Sequence, residues 1–385
     1  MNSDLRSTGL NCAFALQLIA VMTLTAIRAI SEPSSDLRVQ APAVRPQMFF
    51  ACCDDIAATR ALFADGSVIA SLRRLNAGVA IATDDLSAAR AQIVRRLNDA
   101  SIPVVASLVV PGEQGYYLNS GNAPQAAARF TEFEQWTARY QLHWSAVGLD
   151  IEPDIRLFGD LQHHRMRLTW LFLVRYFEFA KMHQAREAYD KLIRRIQSQG
   201  YVVETYQLPL IVAERKAHLT LLERLLGIVD VRGNQEVVMI YTSFNKAIGS
   251  AMIWTLGPDA QSIAIGITND GEYALNWNQF SRDLIVAAHF SSTVGVFNLE
   301  GSVQRNYLSR LETMNWDQSV SITSASLAKA HRLRMLVVIL LWVGEFAPCL
   351  ILILVLSLVW VALRIRLRRK RDGMPSKRVQ DHIRP

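Results

Sequence analysis

Apolar residues along this chain fall into two kinds of stretch. Short runs rich in β-branched residues alternate with longer segments in which apolar positions recur at helical spacing. The short runs predict strands at MFFACC (48–53), GVAIAT (78–83), PVVASLVV (103–110), AVGLDIE (146–152), YVVETYQ (201–207), VVMIYTS (237–243), SIAIGI (262–267) and VGVFNLE (294–300). Between them lie amphipathic stretches such as DDLSAARAQIVRRLNDA, APQAAARFTEFEQWTARY, AREAYDKLIRRIQSQG and AERKAHLTLLERLLGIV, the last with Leu219, Leu222, Leu225 and Leu226 on one helical face. Strands that are apolar on both faces and separated by helices belong to a parallel sheet. Eight such units, closing with VQRNYLSRLETM, predict an α/β fold, a (β/α)₈ TIM barrel over 48–325. A doubly wound open sheet satisfies the same alternation.

One connection stands out. The segment 161–199 is longer than a single barrel helix needs, and its LTWLFLVRYFEF stretch is apolar on most sides. A long or kinked helix, or two helices, is expected there, because Arg175 and Glu178 interrupt it too much for a membrane span.

The two ends of the chain carry the remaining apolar excess. Phe346–Leu363 is eighteen residues without a charge, preceded by MLVVILLWVGE, so a transmembrane helix is expected over 333–363. The 364–385 tail has nine Lys/Arg against two Asp, enough to account for the whole formal charge of +7. The body is therefore neutral, and nucleic-acid binding is not supported. The basic cluster directly after the span marks that side as cytoplasmic and places the body outside the cytoplasm. Residues 1–30, with GLNCAFALQLIAVMTLTAI, read as a signal peptide or signal anchor, and Pro/Ser-rich 31–47 as a linker. Of the four cysteines, Cys52 and Cys53 are adjacent, which allows a vicinal disulfide, although two small buried thiols at a strand end are the expectation.

In a barrel, chemistry sits at the C-terminal ends of the strands. Strand four ends in Asp150 and Glu152, alternate residues that face one way after Gly148, with Asp154 beyond Pro153 in the loop. Strand five carries Glu204 and Tyr206, strand six Tyr241 and Ser243, and strand eight Asn298 and Glu300, while Asp54 and Asp55 follow strand one. Buried carboxylates that share a site couple, so that one stays ionised while the other holds its proton to higher pH. That suits general acid catalysis of glycoside cleavage. Pairing with Arg or Lys, or helix capping, is the alternative role for these acids. Loop aromatics Tyr116, Tyr117, Tyr273 and Trp277 add candidate sugar platforms.

The GLDIEPD stretch resembles the strand-four motif of family 18 chitinases, and VVMIYTS is similar to their Met-x-Tyr segment on strand six. The pattern departs at its end, since that family places Asp where Glu152 stands and its catalytic Glu where Asp154 stands. The Asp-x-Glu of strand four also resembles that of family 25 muramidases, with acids on strands one, four and eight. That resemblance implies Glu152 as proton donor beside Asp150, with Asp54 or Asp55 and Glu300 completing an acidic cluster.

Two mechanisms follow. In one, Glu152 protonates the leaving oxygen while Asp150 orients an N-acetyl group of the substrate as internal nucleophile. In the other, Glu300 or Glu204 attacks the sugar and Glu152 is acid/base. The chain is expected to act on a polysaccharide such as an N-acetylated cell-wall glycan. A non-catalytic glycan-binding or polysaccharide-assembly barrel is the alternative, with a metal-dependent barrel hydrolase as the third. No cofactor is implied, since Walker, GxGxxG, GxSxG and CxxC patterns are absent from the sequence. No metal site is expected either: His163 and His164 are adjacent and lack the spacing of a helical zinc pair.

Overall fold

Each apolar run forms a parallel strand close to where its pattern places it. The strands are β1 (Gln47–Cys52), β2 (Gly78–Ala82), β3 (Val104–Leu108), β4 (Ala146–Asp150), β5 (Val203–Gln207), β6 (Gln235–Met239), β7 (Ser262–Gly266) and β8 (Thr293–Phe297). This computed structural model describes residues 35–40, 42, 44–52, 55–157, 165–269 and 271–372, apart from the side chains of 165, 167 and 367–372. Each strand pairs with the next, and β8 pairs back onto β1 through registers such as Phe50↔Val296. That closure decides for the (β/α)₈ barrel over the open sheet.

The alternation of each strand supplies two cores. Outward residues, among them Phe50, Ile81, Val147, Leu149, Ile263 and Val296, pack under the helices in one large cluster with Leu97, Phe130, Phe133 and Leu284. Burying each such side chain is worth about 1.5–3 kcal/mol, and this outer layer carries most of the stability. Helix ends follow local chemistry. Ser87 caps Ala88–Asp99 by accepting from the Arg90 amide at 3.2 Å, and Asn276 with Gln279 forms a capping box on Trp277–Phe290. Inward positions divide by size. Ala80, Val105 and Ala146 gather around Phe49, whereas Val237, Met239 and Ala264 lie against Tyr206, Leu208 and Tyr241.

Two boundaries differ from the sequence expectation. Within the expected 31–47 linker, Leu37–Val39 forms a strand antiparallel to Val320–Ile322, and Val39 is buried in the barrel's outer core. Its apolar alternation outweighs the Pro/Ser composition around it. The 161–199 segment takes one of its expected forms, since within the described residues it holds two helices, Arg165–Arg175 and Phe179–Ser198, broken between them at Tyr176–Glu178. The apolar C-terminal stretch is likewise two helices, Ser324–Glu345 and Ala347–Asp372.

The first of those C-terminal helices starts as part of the barrel. Leu327 and Ala330 are buried in its core, and Arg334 donates to Asp259 Oδ2 at 2.6 Å and to the Thr255 carbonyl at 2.7 Å. Residues 333–341 thus belong to the barrel body, which runs to Leu341 and forms one of two compact units. In the other unit, Ala347–Arg366 gives a 20-residue candidate membrane span of mean hydropathy 2.5. Pro348 sits in its first turn, where a missing amide is tolerated. The 1–30 segment lies outside the described residues, as does the tail from 373. Cys52 is disulfide-bonded, which corrects the expectation of a buried free thiol there, and Cys53 lies outside the described residues.

Candidate active site

The end of β4 is set by its own alternation and by a neighbouring loop. Val147, Leu149 and Ile151 are fully buried outward, which turns Ala146, Gly148 and Asp150 into the barrel and Glu152 the same way just beyond it. The loop after β3 then returns to pair with this end. Leu118 makes a parallel bridge with Ile151, its amide donating to the Asp150 carbonyl at 2.9 Å and its carbonyl accepting from the Glu152 amide at 3.2 Å.

That loop is held by buried polar side chains. Asn122 Oδ1 accepts from the Asn119 amide at 2.8 Å, and its Nδ2 donates to the carbonyls of Tyr117 at 2.8 Å and Gln114 at 3.1 Å. From the helix Phe179–Ser198, the fully buried Tyr189 hydroxyl donates to the Asn119 carbonyl at 2.9 Å and contacts Asn122 Oδ1 at 3.1 Å. Gly115, at φ +111°, makes the turn that brings Tyr116 and Tyr117 over this end. Their rings meet edge to face at 5.0 Å.

On the neighbouring strand β5, Tyr206 pairs in register with Asp150 and Glu204 with Gly148. The Tyr206 hydroxyl donates to Glu204 Oε2 at 2.9 Å. Its ring occupies the space that Gly148 leaves open, where a Cβ would come within 2.5 Å of Tyr206 Cε2.

Burial dominates the electrostatics here. The Glu152 carboxyl is pushed up to about 8, first by desolvation and then by the charge of Asp150. Glu204 is also raised by burial, with the Tyr206 hydrogen bond opposing the shift. Tyr206 and Tyr241 are held neutral well above the ordinary phenol range. For Tyr206 burial comes first, followed by Glu204, Asp150 and Tyr241. For Tyr241 burial is followed by Glu152, Asp150 and Tyr117. These mutual influences tie Asp150, Glu152, Glu204, Tyr206, Tyr241 and Tyr117 into one cluster.

The other candidates belong to other elements. Asp55 is exposed and caps the helix Ile56–Ala64, accepting from the Ala58 amide at 2.6 Å. Asn298 caps the helix Leu299–Gln304 through the Gly301 amide at 3.0 Å. Glu300 is half-buried in the first turn of that same helix. Trp277 begins its own helix and is used in packing, with Tyr307 edge-on at 5.4 Å and the Arg310 guanidinium over its ring at 4.4 Å. Asp154 lies in the loop as expected, accepting from the Arg156 amide at 2.9 Å and from Arg156 Nε at 2.8 Å. Asp54, His163 and His164 fall outside the described residues. Among the described residues no group of three or more His, Cys, Asp or Glu is placed to hold a metal ion.

Sequence reasoning missed the Asn122–Tyr189 support, which joins residues far apart in the chain and has no local signature. It also missed Phe244, an exposed aromatic whose ring lies 5.5 Å from that of the expected platform residue Tyr273. The apolar Phe244 directly after the Tyr-Thr-Ser of strand six was the available signal.

Sequence and cluster together define an eight-stranded parallel barrel with a carboxylate pair at the mouth of strand four. No family model matches the chain. No curated protein matches it either. Among solved structures, it is similar to the glycoside hydrolase domain of PgaB (BpsB) from Bordetella bronchiseptica, at 10% identity and TM-score 0.42, covering 69% of this chain and 98% of that one. It is also similar to a family GH18 chitinase from Chromobacterium violaceum, at 12% identity and TM-score 0.40, covering 75% of this chain and 85% of that one. A D-allulose 3-epimerase from Methylomonas sp. aligns at 13% identity and TM-score 0.39, covering 76% of this chain and 99% of that one. Such neighbours include glycoside hydrolases and sugar epimerases alike, and the functional argument rests on this chain's own residues.

Proposed function

We propose that this protein is a membrane-anchored glycoside hydrolase whose barrel stands outside the cytoplasm and cleaves a polysaccharide, with Glu152 as general acid and Asp150 as its charged partner. One observation carries the reading: Glu152 is held protonated to about 8 by burial and by Asp150 at the mouth of β4. A carboxyl kept neutral near physiological pH can donate, and an ionised neighbour can stabilise positive charge developing in the substrate.

Of the two mechanisms, neighbouring-group participation fits these residues better. Glu204 Oε2 already accepts the Tyr206 hydroxyl at 2.9 Å, and burial raises this carboxyl above its ordinary range, both of which make it a weaker nucleophile. In the favoured path, Glu152 gives its proton to the glycosidic oxygen as the bond to the anomeric carbon breaks. The substrate's N-acetyl oxygen bonds to that carbon while Asp150 stabilises the positive charge on the acetamido nitrogen. Water then attacks the anomeric carbon, the bond to the N-acetyl oxygen breaks, and Glu152 takes the proton back. Tyr241 and Tyr206 line the mouth as neutral hydrogen-bonding groups beside the two acids.

The test is release of reducing ends from N-acetylated glycans by wild type and by Glu152→Gln. Glu152→Gln should fold normally and lose about 10³-fold in kcat, within the range for removing a general acid. Equal cleavage by the variant would remove Glu152 from the chemistry. Binding without cleavage by the wild type would instead indicate a glycan-binding barrel.

A further inference from the structure

The helix Arg165–Arg175 turns its apolar side outward. Met166, Trp170, Leu173 and Val174 on the helix, and Phe177 just after it, are 89%, 67%, 54%, 43% and 63% exposed. Steps of three and four residues place them along one side, while Leu168 faces in and is buried. Phe179, opening the next helix, extends the stripe and is also exposed. Scattered apolar side chains on a surface need no explanation, but a continuous stripe of large ones marks a contact site.

We propose that this stripe lies in the interfacial layer of a bilayer containing anionic lipid, as a second and peripheral membrane contact of the barrel. Three observations select lipid as the occupant. Trp, Phe, Leu and Met on one face are the residues with which an amphipathic helix enters the headgroup and upper acyl region. The helix sequence carries three Arg and no acid; although Arg175 turns inward to the Leu225 carbonyl at 3.0 Å, the net positive charge complements an anionic lipid surface. That net positive charge opposes a self-complementary contact that would lay this helix against its own copy. Finally, the same chain contains the candidate span Ala347–Arg366, so the barrel is tethered at the surface the stripe would enter. In this last respect the inference rests on the membrane-anchored reading above.

A consequence for the site follows from topology. The helix belongs to the connection after β4, the strand whose end carries Asp150 and Glu152. Docking the stripe therefore brings that side of the barrel mouth close to lipid headgroups, where it would meet glycan still at the membrane.

The test uses the full chain reconstituted in vesicles of phosphatidylethanolamine and phosphatidylglycerol. The photo-reactive p-benzoylphenylalanine replaces Trp170 or Phe177, both exposed aromatics, and as a control Asp317, an exposed residue of the barrel unit. Irradiation should give severalfold more lipid adduct at 170 and 177 than at 317, and dilution of the anionic lipid should lower it. Adducts at 170 and 177 to a second copy of the chain, or to lipid no more often than at 317, would overturn the docking. Carbonate extraction of the same vesicles judges the span separately. A chain released by carbonate refutes anchoring, while the adduct pattern still decides the stripe.

Discussion

The Tyr206 ring lies directly against Gly148, so close that a Cβ at 148 would fall 2.5 Å from Tyr206 Cε2 and 3.1 Å from its hydroxyl oxygen. The same hydroxyl donates to Glu204, and Tyr206 pairs in register with Asp150. A glycine two residues before the acid thus makes room for the ring that closes one side of the site. Gly148→Ala is expected to cost about 1–3 kcal/mol, as overpacking of a filled interior does, because the ring cannot retreat into the adjoining β6 and β7 side chains. Urea denaturation gives the loss directly. An unchanged midpoint would mean that Tyr206 has another place to go.

The charge of Asp150 helps hold the proton on Glu152. Asp150→Asn should therefore let Glu152 ionise at lower pH. In a kcat profile against pH, the alkaline limb should move toward acid, in addition to a drop in rate. A limb that stays in place would show that burial alone sets Glu152.

Glu152 also links stability to pH. Its folded value of about 8 lies above its ordinary 4.5, so the folded state keeps a proton that the unfolded chain gives up. Its contribution is fully present below 4.5, is lost as pH rises toward 8, and is level beyond. Glu152→Gln should remove that decline, with its advantage in Tm over wild type growing across the interval. Parallel Tm profiles for the two proteins would contradict the assignment.

Tyr189 acts at one remove. Its buried hydroxyl holds Asn119 and Asn122, and their loop makes the Leu118 bridge to the end of β4. Tyr189→Phe removes one of the two donors to the Asn119 carbonyl, which keeps the Asn122 amide at 3.2 Å, and should cost about 0.5–1.5 kcal/mol. It should lower kcat more than it alters KM, because the acids lose alignment while the glycan surface persists. A stability loss with kcat unchanged would confine Tyr189 to packing.

On the outer side of β6, Arg215 donates to Asp230 at 2.6 and 2.7 Å and to Glu236 at 2.6 Å. Both acids are largely buried, so Arg215→Ala leaves two uncompensated carboxylates, at about 3–5 kcal/mol. Thermal unfolding at neutral pH should show the largest loss of any substitution named here.

The eight strands were legible because a parallel barrel strand is apolar on both faces, and that double requirement leaves a run of residues visible without any partner. The direction of Asp150 and Glu152 was legible for a related reason, since alternation alone turns them inward once Leu149 and Ile151 must face the helices. Asp55, Asn298 and Trp277 show the limit of that reasoning. An acid or amide after a strand serves equally well as a helix cap, and an aromatic near a loop serves equally well in packing; only the hydrogen bonds to Ala58 and Gly301 and the Arg310 contact decide. The open-sheet alternative fell to a single long-range pairing, β8 on β1. Local pattern determined which segments form strands and which way their side chains turn. The tertiary structure decided which inward groups meet, because desolvation and mutual charge arise only when side chains distant in sequence, such as Glu152 and Tyr241, share one enclosed space.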